Sequence, residues 1–415
     1  MKKLLFITSE LPYPARSGGK VKSLKLLYAL AEKYQVTLAC VLKMEDSHYI
    51  EQFHAISPCA HHLHQEVSIP RTAGNLIVSY LRGIPLNVHR TYNEQLKNNI
   101  AALVSKQDVV VLDHYEVYSY LPSYYQGLTV YHAHNAYFKI WQGYAQQPGN
   151  PVIRAAAYME SRRVKKYEIT VCNSTDLSFA APNDALELVK SGASINKLHN
   201  TFHLGDDQQL KLPDLEYANT DKKLMYVGFL GWQANSQGLL WFIEKVWPKL
   251  VAGHPDLQLD IVGKDPDQRL QDVAAKWPGI TLRGFVADLQ KIYNNSRVSV
   301  APLMFGSGMK VKVLDSMARG IPTVTTSIGA EGIDAEHGTH MLIADEPAKM
   351  AICINQLLID PDLWLHLQKN SRALITERYT WRRLFIEMHR TMESALRDKI
   401  NTSSSQTEQG QPHGG

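Results

Sequence analysis

Cysteine is scarce in this chain: four residues in 415, Cys40, Cys59, Cys172 and Cys353, with no C-x-x-C spacing among them. That excludes a zinc ribbon or a disulfide framework and fits buried thiols in a reducing compartment. Long apolar runs are missing too, and none approaches the ~18 residues expected of a membrane-crossing helix. The opening MKKLLFITSE breaks its apolar run early, with no small-residue cleavage site after it. A buried first strand is therefore expected rather than a signal peptide. Charge is nearly balanced, 44 Lys+Arg against 40 Asp+Glu for a net +4, too little to argue for nucleic acid. No G-x-G-x-x-G follows a first strand; SGG at 17–19 and GFLG at 228–231 come nearest. Their shortfall weighs against a nicotinamide-dependent oxidoreductase.

What is present is alternation. Strand-length apolar runs stand at Leu4–Thr8, Val36–Val41, Val109–Leu112, Thr129–His132, Leu224–Val227, Leu257–Val262, Val298–Pro302 and Pro322–Thr325. Helical patterns such as Ser23–Tyr34, Glu94–Lys106, Gly238–Ala252 and Asp267–Lys276 separate most of them. Strand–helix alternation predicts parallel sheets covered by helices on both faces. The pattern also restarts: KKLLFITSELPYPARSGG opens the chain and KKLMYVGFLGWQANSQG begins at Lys222. The predicted architecture is α/β, two doubly wound Rossmann-like domains facing across a cleft, with ligands at the carboxyl ends of the strands. Residues 1–203 form the first domain, 204–221 a polar linker and 222–380 the second domain. A helix over 381–400 packs back toward the first domain, and the polar tail 401–415 is expected to be disordered.

The charge is unevenly spread. Up to His203 there are 21 Lys+Arg and 15 Asp+Glu, and after it 23 and 25. Lys20, Lys22 and Lys25 lie on one predicted helix and Arg162, Arg163, Lys165 and Lys166 on another. A basic face of this kind is complementary to anionic lipid, at about 1 kcal/mol per residue near the surface. A solvated helix face accounts for the same residues.

The richest stretch is Ala301–Gly332, APLMFGSGMKVKVLDSMARGIPTVTTSIGAEG. It reads as strand, glycine-rich loop, helix and strand. A helix start at a strand's carboxyl end offers backbone N–H groups to an anion, and Lys310 and Lys312 add point charges suited to phosphate. Asp315, one turn on, is placed to take sugar hydroxyls. The ensemble points to a nucleoside diphosphate.

These residues, with DIVG, GFV-x-DL and VSVAPL before them, resemble the donor-binding half of retaining glycosyltransferases of family four, which have the GT-B fold. LPYPARSGGKVKSLKLLYAL, VYHAHNAYFKIW, MESRRVKKYE and HNTF extend the resemblance over Met1 to about Ile400. The resemblance implies a nucleotide-sugar donor in the second domain and a saccharide or lipid-linked acceptor in the first. It implies no metal, no cofactor and a cytoplasmic enzyme, for which the basic face of the first domain could give peripheral contact with the inner face of the membrane. Lys312 then corresponds to the cation facing the donor diphosphate, with Lys310 beside it. Gly306, Ser307 and Gly308 form the donor loop, and Glu331 lies in a loop that holds donor sugar or diphosphate. Gly284, Phe285 and Val286 match the segment beside the base. Asp315 takes the place of the second acid of the family's Glu-x₇-Glu motif, and Ser307 stands where the first would be. That departure puts sugar identity in doubt and keeps open a non-catalytic binder of nucleotide sugars. In the first domain Gly18 and Gly19 match the phosphate-approaching glycines, and His134 matches a histidine near the donor sugar. His114, Asn135 and Trp232 are candidates for positioning acceptor or sugar. The resemblance implies no protein nucleophile; the acceptor attacks from the face that the diphosphate leaves.

Asp265-Pro266-Asp267 and Asp360-Pro361-Asp362 spell D-x-D, the string of metal-dependent transferases of another fold, but each precedes a helical pattern where Asp and Pro serve as N-cap and first-turn residues. His61, His62 and His64 match no metal-site spacing and read as a solvated loop.

Overall fold

The computed structural model describes the chain except residues 16, 147–149, 203, 307–308 and 410–415, and except the side chains from 402 onward. Two compact units result: unit 1 takes Met1–Thr201 and Phe385–Gly415, and unit 2 takes Phe202–Leu384.

Unit 1 runs β1 (Lys3–Thr8), α1 (Gly18–Ala31), β2 (Gln35–Leu42), α2 (Ile50–Ile56), β3 (His61–Glu66), α3 (Ala73–Leu81), α4 (Leu86–Arg90), α5 (Glu94–Val104), β4 (Val109–Asp113), β5 (Leu128–His132), α6 (Tyr137–Gln146), α7 (Pro151–Ser174), β6 (Leu177–Ala180), α8 (Pro182–Lys190) and β7 (Leu198–Asn200). Its strands pair in the order β3-β2-β1-β4-β5-β6-β7, every pair parallel. β1, β2, β4 and β5 are apolar almost throughout because helices cover both faces of the sheet. Leu5, Ile7, Val110, Leu112 and Tyr131 pack on one side. Leu4, Phe6, Val109, Val111 and Val130 pack on the other.

Unit 2 runs β8 (Asp221–Val227), α9 (Gln233–Trp241), α10 (Trp247–Gly253), β9 (Gln258–Val262), α11 (Gln268–Ala274), β10 (Ile280–Gly284), α12 (Gln290–Asn295), β11 (Ser296–Ala301), α13 (Val311–Arg319), β12 (Thr323–Thr325), α14 (Ser327–Ala330), β13 (Leu342–Ile343), α15 (Pro347–Ile359) and α16 (Pro361–Arg378), and then enters α17 (Trp381–Gln409). Its sheet order, β10-β9-β8-β11-β12-β13, repeats the first six strands of the unit 1 order, without a counterpart of β7, and is again all parallel. In each sheet the order reverses once, between β1 and β4 and between β8 and β11. The crevice beyond the carboxyl ends at such a reversal is where an open α/β sheet binds its ligand.

Met388, Met392 and Leu396 of α17 join the core of unit 1, each buried methionine or leucine stabilising by about 1.5–3 kcal/mol. Lys2 and Tyr34 hold Glu393, and Lys399 bonds Asp176 at 2.6 Å. The helix continues to Gln409, beyond residue 400 where its apolar period ends. Both D-P-D strings cap helices. Asp267 accepts from Leu270 N–H at 2.7 Å, and Asp360 accepts from the N–H groups of Asp362 and Leu363 with Pro361 in the first turn.

Three expectations need correction. His61, His62 and His64 lie on β3, an edge strand parallel to Thr37–Leu42, because β2 supplies the backbone partners that a polar segment could not find alone. The stretch 204–221 is not a bare linker, since Arg372 donates to the carbonyls of Leu210 and Leu212 and Trp381 to that of Gly205, fixing it within unit 2. Lys22 is not on the surface of α1 but 1% exposed inside unit 1, while Lys20 pairs with Asp46 at 2.8 Å.

Candidate active site

Parallel register builds the first half-site. Thr8 pairs with Asp113 and Asp113 with His132, so one row across β1, β4 and β5 carries hydroxyl, carboxylate and imidazole side by side. Asp113 is wholly buried. Its Oδ2 accepts from Thr8 at 3.0 Å and from Ser23 of α1 at 2.6 Å. Its Oδ1 lies 2.7 Å from His132 Nδ1 and 2.8 Å from His134 Nε2. A carboxylate only accepts, so both rings carry their proton on the nitrogen facing it. Burial alone would raise the Asp113 carboxyl, but its electrostatic interaction with His134 and the hydrogen bonds from both imidazoles hold it well below the usual carboxylate range.

His114 completes the cluster. It is buried at the end of β4 with φ of 92°, and its ring stacks on His134 at 3.8 Å and 9°. Burial, then the neighbouring imidazole, pushes it down to about 4. Burial, then Lys22, brings His132 to about 4 as well, and burial lowers His134 against the pull of Asp113. All three rings are neutral at pH 7. Gly19, in the first turn of α1, lies against His134: a Cβ there would sit 3.3 Å from Nδ1, so only glycine leaves that ring nitrogen its clearance. Gly18 is exposed beside it and Asn135 half-buried in the turn after His134. The three ligand-type atoms of Asp113, His132 and His134 lie within 4.8 Å of one another. The four protein donors around Asp113 account for that cluster as a hydrogen-bonded network.

The second half-site has the same address in unit 2. Lys312, in the first turn of α13, donates to Tyr226 Oη at 2.7 Å and to Asn235 Oδ1 at 2.6 Å. Tyr226 is near the end of β8 and Asn235 opens α9, so the β8–α9 unit on one side of the strand reversal holds this ammonium from α13. Burial, then the charge of Lys310, brings Lys312 down to about 7. Gly228 faces it; a Cβ there would stand 2.9 Å from Nζ. Lys310 is 5% exposed, reaches Glu331 at 3.7 Å, and as N-cap of α13 makes no side-chain capping bond. Trp232 lies against Gly306, where a Cβ would meet the indole at 3.3 Å. Gly284 ends β10, and Phe285 after it is 75% exposed. Asp315 is half-buried, its Oδ1 taking the Asp206 N–H at 2.6 Å, and burial raises its carboxyl to about 6. Ser307 and Gly308 lie outside the described residues.

Residues 221–360 match the family described as Glycosyl transferases group 1, the interval that contains every described residue of the second half-site. Over 405 residues the chain is 25% identical to an uncharacterized 44.6 kDa protein in the cps region of Klebsiella pneumoniae, covering 93% of this chain and 98% of that protein. The fold is that of GT-B glycosyltransferases. Anabaena HepE in complex with UDP and glucose superposes with a TM-score of 0.62 at 13% identity, over 94% of this chain and 100% of that one. Sucrose-phosphate synthase of Thermosynechococcus elongatus gives 0.63 at 15%, over 95% and 99%.

Of the candidate residues, the structure therefore gathers Gly18, Gly19, His114, His134 and Asn135 at one carboxyl edge. It gathers Trp232, Gly284, Phe285, Val286, Gly306, Lys310, Lys312, Asp315 and Glu331 along the other. Thr8, Ser23, Lys22 and Asp113 went unread in the first half-site, and Tyr226, Gly228 and Asn235 in the second. Asp113 had a signal: a lone acid ending the apolar run VVVLD, next to a histidine. Tyr226 and Asn235 had none, because only the pairing of β8 with β11 brings them to Lys312.

Proposed function

We propose that this chain is a retaining hexosyltransferase. It moves a sugar from a nucleoside diphosphate to a hydroxyl of a saccharide or lipid-linked acceptor, on the cytoplasmic side, in bacterial cell-surface polysaccharide synthesis. Unit 2 holds the donor and unit 1 the acceptor. One observation carries the reading: Lys312 is an ammonium held by two neutral oxygens, with no carboxylate paired to it among the described residues. That arrangement invites a phosphate. The group 1 match over 221–360, the UDP and glucose of the HepE complex and the cps location of the Klebsiella protein support it.

In the proposed step the bond from the anomeric carbon to the diphosphate oxygen breaks and the acceptor oxygen bonds to that carbon from the same face. The acceptor's proton passes to the departing diphosphate, and Lys312 with Lys310 stabilises the charge that accumulates there. A preorganised donor of this kind contributes about 2.7–4 kcal/mol to such a step. His134, neutral and fixed by Asp113, offers Nδ1 to a sugar hydroxyl.

Incubation with a panel of nucleotide sugars, with and without saccharide and lipid-linked acceptors, should release nucleoside diphosphate from one donor. Ser307 in place of an acid favours a second reading, a nucleotide-sugar binder without turnover. Binding of a donor with no release under any condition would establish that second reading and end the first.

A further inference from the structure

The surface of unit 1 around α3, α6 and α7 is apolar and positive at once. We infer that it is a docking face for an anionic lipid bilayer, reached from the side of unit 1 where the carboxyl ends of β3 and β5 lead into these helices.

Three observations carry this. The first is a concentration of apolar exposure on three helices, where elsewhere in unit 1 such residues, Ile56, Leu186 and Ile195 among them, stand singly along the chain. Ile77, Tyr80 and Leu81 of α3, Ile140 and Tyr144 of α6, and Val152, Ile153, Tyr158 and Met159 of α7 are all exposed, Leu81 at 83%, Val152 at 75% and Ile153 at 68%. Contiguous apolar surface of that kind on a soluble fold marks an interaction site. The second is length. The 24 residues of α7 span ~36 Å at 1.5 Å per residue, whereas the five of β5 span ~17 Å. A helix longer than the strands leaves turns off the core: the buried positions of α7 begin only at Ala157, and its first nine residues carry four of the exposed apolar side chains. The third is charge. No acidic residue occurs between Glu66 and Glu94 or between Glu116 and Glu160. The two acids inside α7, Glu160 and Glu168, are buried, spent on Leu86 N–H and on the N–H groups of Tyr137 and Phe138. What faces outward from these segments is Arg71, Arg82, Lys139, Arg154, Arg162 and Lys166.

A surface of apolar side chains ringed by cations, where the partly exposed Glu187 of α8 offsets only Lys139 at 3.0 Å, is complementary to anionic headgroups over an acyl layer. A second protein would need acids matched to these cations without the apolar penetration that the α7 tip offers. A cavity of 470 Å³ lies within the face, walled by Leu76, Trp141 and Ile153 with Arg71 and Arg154. Its walls are mostly apolar with two guanidinium groups, and the one acid in its lining, Glu160, is already held by Leu86 N–H and Arg163. Arg163, which the sequence places on the same basic face, is spent inside, binding Glu160 and the carbonyls of Ser79 and Ile84. The inference rests on the lipid-linked branch of the proposed acceptor for its purpose, but its test does not.

The test is sedimentation of the purified full chain with vesicles of phosphatidylcholine alone and of phosphatidylcholine with phosphatidylglycerol. The comparison is with the double variants Leu81→Glu/Ile153→Glu and Arg154→Glu/Lys166→Glu. UDP titration of every sample reports on unit 2 separately. The expected result is partition to the anionic vesicles only, reduced at least tenfold by each double variant with UDP affinity unchanged. No partition to anionic vesicles, equal partition to neutral ones, or partition indifferent to both variants overturns it. So does a concentration-dependent dimer that the same variants abolish, because the occupant is then a second copy. Vesicle binding by a chain that binds no nucleotide would keep this face and sink the donor reading.

Discussion

The two units place opposite charges at the same address. At the strand reversal of unit 1 a buried carboxylate, Asp113, is surrounded by four donors of this chain and wants nothing more. At the strand reversal of unit 2 an ammonium, Lys312, rests on a phenol and an amide oxygen, and its nearest charge is another lysine. A closed network fixes positions, whereas an unbalanced cation stores a preference for an anion not yet present. One topology serves as scaffold for both, so function is carried by the residues at the reversal and not by the fold.

The contrast is broken most forcefully in unit 1. Asp113→Ala removes the acceptor that four buried donors share, and breaking such a network costs about 3–5 kcal/mol. The urea midpoint should fall accordingly with an unchanged slope. A midpoint within the error of the unaltered chain would mean that the cluster does not hold unit 1 together.

Lys312→Met should do the reverse. It removes a cation without removing the partner of any acid, so the urea midpoint should stay or rise, while turnover of the nucleotide sugar falls at least ~10²-fold, about 2.7 kcal/mol. Loss of stability with retained turnover would make Lys312 a structural residue. His134→Ala comes next: about tenfold slower transfer with nucleotide affinity nearly intact, read by initial rates against UDP titration. A large loss of nucleotide affinity would move His134 from acceptor or sugar to donor phosphate.

The two doubly wound sheets were legible because alternating apolar runs report burial on both faces, and the Ala301–Gly332 segment was legible because a glycine loop, two lysines and a helix lie consecutively. The rest depends on register. Nothing local tells that Thr8, Asp113 and His132 share a row, or that a tyrosine and an asparagine from the β8–α9 unit meet Lys312. Lys22 misled for a related reason: a lysine on a helix reads as solvent-facing, and only the packing of α1 against the acid at the end of β4 turns it inward. β3 was missed because its three histidines lack the apolar signature that marks the central strands.

The smallest effect sharpens the comparison by titration. Burial and Lys310 leave Lys312 at about 7 in the free protein, and a bound diphosphate must raise it, since an adjacent anion favours the ammonium. Between the two values the complex holds one proton more than its separated parts, so affinity falls as pH rises, by up to tenfold per unit above pH 7. On the acid side, Asp315 is raised to about 6 by burial, and a terminal phosphate takes up its own proton near ~6; both weaken binding as pH falls. Nucleotide affinity should therefore peak between about pH 6 and 7. At pH 8, UDP binding should take up close to one proton, measured by calorimetry in two buffers of different ionisation enthalpy. Unit 1 makes no such demand at pH 8, because burial brings His114 and His132 to about 4 and lowers His134 as well, while Asp113 is held well below the usual carboxylate range. A binding enthalpy independent of buffer at pH 8 would show that Lys312 keeps its proton without a ligand, and the contrast between the two charge sites would lose its sharper half.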